Sequence, residues 1–264
     1  MSSRNLAVSG QFYPETKEEL NRYIDHFNNI LKENNIDIKQ KDNLKAVIVP
    51  HAGYIYSGFT ANMAYRHIPG RIKNIIVIGP SHKFAFEGAN VSLYDTYPTP
   101  YGDLSVNKSL GEELVQRFDF LTFDKKVHCE HSTEVQFPFI KKYLEDVNVL
   151  EIVYSKADFN DIALLIKELL RNKDNLVVIS TDLSHFYDLD TANKLDNICL
   201  NSILHKDLEL DKKGCQACGI TGVKGIIKTA VEDDLKIELL DYRTSADITN
   251  DKESVVGYSS FIIS

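Results

Sequence analysis

The sequence predicts a single α/β domain over residues 1–264: a mostly parallel central sheet flanked by helices. Three observations carry that expectation. Short, continuous runs of β-branched and apolar residues recur along the chain. Segments of helical periodicity lie between them. No repeat, low-complexity tract or linker interrupts the series.

Taken in order, the segment from Glu15 to Lys32 follows Pro14, opens with an acidic first turn and reads as a helix. Ala46–Val49 (AVIV) and Ile75–Ile78 (IIVI) are apolar throughout, as a strand covered on both faces must be. A helix is expected between them, reaching His67. The segment from Val147 to Val153 (VNVLEIV) is a third strand. Asn160–Leu170 then sets Ile162, Leu165, Ile166 and Leu169 on one helical stripe. Leu176–Ser180 (LVVIS) is the fourth strand. In Thr191–Leu204, Ala192, Leu195, Cys199 and Ser202 share a helix face. Gly219 opens a further helix, Ile237–Tyr242 is a late strand, and Val255–Ile263 is a last strand, partly antiparallel. Strands alternating with helices demand crossover connections, hence parallel pairing.

At 264 residues the chain can bury a large core, and 43% hydrophobic with 26% charged residues is an ordinary globular composition. A formal net charge of -8 opposes binding to nucleic acid or an anionic membrane, and no Lys/Arg run overrides it. The opening MSSRNLAVSGQFYP lacks the apolar stretch of a secretory signal, and no segment approaches the ~18 apolar residues that span a bilayer. With four cysteines in so large a chain, a disulfide framework is not needed, so a cytoplasmic protein is expected, with Cys129 and Cys199 as packing residues.

Three of the predicted strands run directly into a loop that carries histidine. AVIV leads into Pro50-His51-Ala52-Gly53-Tyr54, IIVI into Gly79-Pro80-Ser81-His82, and LVVIS into Thr181-Asp182-Leu183-Ser184-His185-Phe186. In open parallel sheets such loops converge beyond the carboxyl ends of the strands. A single histidine there would be a hydrogen-bonded loop residue. Three at equivalent positions, of eight in the chain, point to one shared site. Imidazole is the commonest metal ligand and also suits proton transfer near neutral pH. Asp182 could share a helical face with His185 and orient or ligate there, or could cap a helix. Glu130-His131-Ser132-Thr133-Glu134 is a second polar cluster, suited to acid–base work or to capping a helix that begins near Pro138. His26 and His67 are placed on helices, His205 after one, and His128 at the surface. Cys215-Gln216-Ala217-Cys218 lacks the second pair a four-cysteine zinc site requires. One of its cysteines could join the histidines as a thiolate favoured by the helix start at Gly219.

Taken together, these motifs resemble the Memo family over nearly the whole chain. The matching stretches are Gly10-Gln11-Phe12-Tyr13-Pro14, Pro50-His51-Ala52-Gly53-Tyr54 with Ser57-Gly58, and Gly79-Pro80-Ser81-His82. After them come Thr99-Pro100-Tyr101-Gly102-Asp103-Leu104, Glu130-His131-Ser132 with Glu134, Ser180 to Phe186, and Cys218-Gly219. The resemblance implies a fold similar to the class III extradiol dioxygenases, in which two histidines and a carboxylate hold iron and a further histidine is the acid–base group. It implies His51, His82 and Cys218 as metal ligands, iron or copper ahead of zinc as the metal, and His185 as the acid–base group with Asp182 beside it; His131, from its own polar cluster, is a further catalytic candidate. The proline usual after the family's cysteine-glycine is replaced here by Ile220-Thr221-Gly222. Family membership also implies two kinds of role: metal-dependent oxidation of a small molecule, or a non-catalytic module recognising a peptide or partner protein. Zinc-dependent hydrolysis ranks below both. Microbial members are grouped with a radical-SAM protein and an AMMECR-type protein, which are therefore expected partners.

Overall fold

The computed structural model describes residues 2–264. The chain forms α1 (Lys17–Glu33), β1 (Ala46–Val49), α2 (Tyr54–Tyr65) and β2 (Asn74–Pro80). A stretch of short elements follows: β3 (Ala89–Val91), β4 (Thr96–Tyr97), β5 (Leu104–Val106), α3 (Lys108–Arg117) and β6 (Leu121–Thr122). Next are α4 (His131–Glu134), α5 (Phe137–Tyr143), β7 (Asn148–Tyr154), α6 (Phe159–Leu170) and β8 (Asn175–Ser180). The chain ends with β9 (His185–Tyr187), α7 (Leu189–Leu204), α8 (Ile220–Glu232), β10 (Ile237–Thr244), α9 (Ala246–Thr249) and β11 (Val255–Ile263).

The main sheet has the order β10-β11-β1-β8-β2-β7-β3-β6. Its four central strands, β1, β8, β2 and β7, are mutually parallel. Outside them β11 on β1, β10 on β11 and β3 on β7 are antiparallel, while β6 on β3 and β5 on β7 are parallel. The sheet is therefore mixed rather than purely parallel. The expected parallel pairing holds at the centre, where long crossovers supply the strands.

Alternate side chains of the central strands enter two separate cores. Ile48, Ile76, Ile78, Val177 and Ile179 pack under α6, α7 and α8. Val47, Val49, Ile75, Val77 and Val178 pack under α1, α2 and α5. Burying each such side chain contributes roughly 1.5–3 kcal/mol. A polar residue at any of them would remove that and add a desolvation cost. The helices covering them form for local reasons. In α1, Thr16 accepts a hydrogen bond from the Glu19 N–H at 3.3 Å, Glu18 and Glu19 sit in the first turn, and Leu20, Ile24, Phe27 and Leu31 form the buried stripe. Asp158 caps α6 and Asp188 caps α7 in the same way.

Two polar residues assigned by sequence to the surface or to plain packing prove otherwise. His128 is buried, its Nδ1–H donating to Glu151 Oε2 at 2.8 Å, because a carboxylate from β7 awaits it in the interior. Cys199 is bonded to Cys215, closing a loop of sequence separation 16 between α7 and the segment before α8. His67 lies just past the end of α2, its ring held by the Lys39 carbonyl at 2.8 Å. No helix among the described residues is long and apolar enough to cross a membrane.

Candidate metal centre

Because β8 lies between β1 and β2 and all three are parallel, the loops carrying His51, His82 and His185 leave the same sheet end side by side. His51 follows β1 directly and is buried, while His82 stands more exposed after β2. The amino end of α4 brings His131 into the same place. Its ring lies 5.3 Å from that of His51 and 4.6 Å from that of His82, with Phe12 against it at 4.8 Å.

Cys218 enters from the far end of the sequence. Its Sγ lies 3.2 Å from His51 Nε2 and accepts the Asp182 N–H at 3.2 Å, while its own N–H donates to the Asp182 carbonyl. That close approach depends on the next residue. A Cβ on Gly219 would lie 2.7 Å from Thr181 Cβ and 2.8 Å from the Ser180 carbonyl oxygen, so only glycine lets the start of α8 rest on the end of β8. Cys215 is held by Cys199, which leaves Cys218 as the thiol of the pair.

Hydrogen bonds fix which nitrogen of His51 is free. The Ser180 hydroxyl donates to the Ser132 carbonyl and accepts from the Gln136 amide at 3.0 Å. Its remaining capacity is to accept, so His51 Nδ1, 3.0 Å away, carries the proton. Nε2 is left as a lone pair aimed toward Cys218. His185 is arranged alike: Nδ1–H donates to the Leu183 carbonyl at 2.8 Å, leaving Nε2 as an acceptor.

Asp182 is positioned differently from expectation. The chain from Thr181 to Ser184 is a loop leading into β9, not a helical turn, so Asp182 neither caps a helix nor shares a helical face with His185. Its Oδ1 accepts the His51 N–H at 2.7 Å and its Oδ2 lies 3.9 Å from His51 Nε2. It therefore braces the His51 loop and faces the ring.

The electrostatics favour neutral donors. Burial, then the neighbouring His82 and His185, hold His51 well below the ordinary imidazole value. Burial also lowers His82 against the opposing pull of Glu130, and burial with His51 and His82 lowers His131 to about 3. Burial raises Asp182. Cys218 is pushed up to about 12 by burial and by the Asp182 carboxylate, which outweigh the helix start expected to favour a thiolate. Without a cation the pocket thus holds neutral imidazoles and a thiol. A cation would supply the charge that keeps sulfur deprotonated.

Ligand atoms of His51, His82 and Cys218 all lie within 4.8 Å of one another. A tetrahedral ion bound to nitrogen and sulfur at ordinary lengths sets those two atoms about 3.6 Å apart. The separation of 3.2 Å between Cys218 Sγ and His51 Nε2 is close to that, so the donor set fits a metal with small adjustment.

Of the residues marked out by sequence, His51, His82, His131, Asp182 and Cys218 converge here. His185 stands outside the ligand group, at the rim. Glu134 leaves the site entirely. It accepts from the Ala7 and Val8 N–H groups and the Tyr13 hydroxyl, and pairs with buried Arg4. Ser180, Gln136 and Phe12 were missed as individuals, although Ser180 and Phe12 lie within motifs already noted. A cavity of about 610 Å³ lies beside the site, lined by residues from Gly10 to Thr16 and by Tyr23, Tyr54 and Ile55. Phe12 belongs to both cavity and site.

Fold and site together define a mixed-sheet α/β protein with an imidazole-and-thiol donor set at the carboxyl ends of its central strands. A search of family models narrows this further: the Memo-like protein family matches residues 4–262. The chain belongs to the Memo family. A family protein of Aquifex aeolicus is 34% identical, with 99% of each chain covered. One of Methanobrevibacter smithii is also 34% identical, covering 98% of this chain and 99% of its own. Among solved structures, an uncharacterized Escherichia coli K12 protein shares the fold, with TM-score 0.53, 15% identity, and coverage of 83% of this chain and 99% of its own.

Proposed function

We propose that this protein is a metal-dependent redox protein whose ligands are His51, His82 and Cys218. The observation that carries the reading is the lone pair of His51 Nε2, fixed by Ser180 and aimed at Cys218 Sγ 3.2 Å away. When bound, iron or copper would supply electron transfer to or from a small organic substrate or dioxygen. The chain's own residues do the rest. Ser180 and Asp182 hold His51 in place, and the tight contact at Gly219 fixes Cys218. His185, whose Nδ1–H is tied to the Leu183 carbonyl, turns Nε2 to the task of accepting a substrate proton. His131 presents a neutral ring beside the ligands and can accept a hydrogen bond from substrate.

A second reading is favoured by the rim. Apolar side chains are exposed shortly after each histidine: Ile55 and Tyr56 in the first turn of α2, Phe84 after His82, and Phe186 in β9. Phe186 is 75% exposed and held at φ 65, a strained backbone for a bulky residue. Such a rim suits a peptide or partner protein, including the radical-SAM and AMMECR-type proteins that family membership implies, recognised without catalysis.

A cytoplasmic setting belongs to this proposal, with the Cys199–Cys215 disulfide as the observation against it. Alkylating the thiols at the moment of lysis and counting the protected cysteines would decide it.

Elemental mass spectrometry of untagged protein, purified anaerobically, tests the main reading. Near-stoichiometric iron or copper, lost in both His51→Ala and Cys218→Ser, is expected. Zinc would favour hydrolysis. Protein that takes up no metal under any loading condition, yet still binds a partner, would leave the second reading standing.

A further inference from the structure

Beside the thiol-bearing donor set lies another that contains a carboxylate. His82, Glu130 and His131 offer ligand atoms within 4.8 Å of one another. Glu130 is fully buried, and its two oxygens differ. Oε1 accepts the Ser81 hydroxyl at 2.8 Å and the Lys83 N–H at 2.7 Å. Oε2 has no hydrogen-bond partner and lies 3.9 Å from His82 Nδ1. A buried carboxylate oxygen left without a donor is costly, and chains satisfy the large majority of such atoms. Here the rest of the carboxyl is anchored firmly, so Oε2 is held in place facing two imidazoles.

We propose that His82, Glu130 and His131 form a second cation position, abutting the His51–His82–Cys218 position and sharing His82 with it. Two imidazoles and one carboxylate make a harder donor set than two imidazoles and a thiolate. It suits divalent cations such as Mn²⁺, whereas the sulfur-bearing set suits softer ones. Because His82 belongs to both sets, the character of the cation selects which end of the pocket it occupies. This goes beyond the proposed thiolate site and does not depend on it.

The probe is Mn²⁺ alone, titrated into the full chain under anaerobic conditions and followed by electron paramagnetic resonance of the free ion. Wild-type protein is expected to bind one equivalent. Glu130→Gln and His131→Ala should each weaken binding at least tenfold, and Cys218→Ser should leave it within about twofold, the ordinary scatter of a site that has lost no ligand. Circular dichroism checks folding. If Glu130→Gln does not fold, His131→Ala at the half-buried ring carries the test. Wild-type protein that binds no Mn²⁺ would overturn the proposal. So would Glu130 and His131 variants that bind as wild type, or a loss in Cys218→Ser equal to theirs. Failure of the thiolate site alone would show instead as unchanged Mn²⁺ binding with no uptake of softer metals.

Discussion

Two polar clusters lie side by side in this protein, and the five residues from Glu130 to Glu134 serve both. Glu130 and His131 face the histidine site. Thr133 and Glu134 face a buried group made by Arg4, Glu151, His128 and Tyr97. The second group is closed at its carboxylates, every oxygen of which is paired, while Arg4 Nε and His128 Nε2 have no partner. Arg4 pairs with Glu134 and Glu151, and Tyr97, Thr133 and His128 donate to Glu151. Burial alone would raise Glu151, yet Arg4 and His128 outweigh it and hold the carboxyl at about 2. The first group is open: neutral imidazoles, a thiol, and a carboxylate oxygen without a donor. A buried charge cluster whose carboxylates are all paired ties the amino terminus to the sheet. One that leaves lone pairs aimed at a common point is built for a ligand.

The largest effect expected from this contrast is on the closed side. Arg4→Met strands two buried carboxylates and should cost about 3–5 kcal/mol of stability, read from denaturant unfolding, with the residual folded protein still able to take up metal. A loss near zero would mean the cluster is not the clamp described here.

Acid probes the same group. The folded-state value of Glu151 lies below its ordinary 4.5, so its contribution is full above that value and is lost as pH falls toward about 2. Thermal melts between those limits should fall with pH in wild type, and the part owed to this residue should vanish in Glu151→Gln.

On the open side the effects should appear in binding. Ser180→Ala frees the His51 tautomer and should weaken metal affinity by about 10–100-fold. Equal affinity would show that Ser180 does not orient the ligand. Cys218→Ser should change the metal-free protein least, by under about 1 kcal/mol, since a hydroxyl can still accept the Asp182 N–H. A large loss there would make Cys218 a structural residue instead.

Much of this was legible in the sequence. AVIV, IIVI and LVVIS read as strands because both of their faces are buried, and their histidines could be grouped because parallel strands end together. The short strands β3 to β6 could not be read, since two or three residues carry no periodicity. The bounds of α2 were equally obscure: it is buried nearly all round, so no amphipathic stripe marks where it stops before His67. The role of His128 depends on Glu151, 23 residues away on another element, and the Cys199–Cys215 pairing on how α7 meets the loop before α8. Glu130 and Glu134 look equivalent in the motif. Only the amino-terminal segment, with Arg4, Ala7, Val8 and Tyr13 gathered on Glu134, separates them.

The most direct test of the open site is the absorption spectrum of protein loaded anaerobically with one equivalent of cobalt(II). The account predicts a near-ultraviolet thiolate-to-metal charge-transfer band that disappears in Cys218→Ser and persists in Cys129→Ser. Cobalt bound without that band in wild type, or a band that survives in Cys218→Ser, would contradict it.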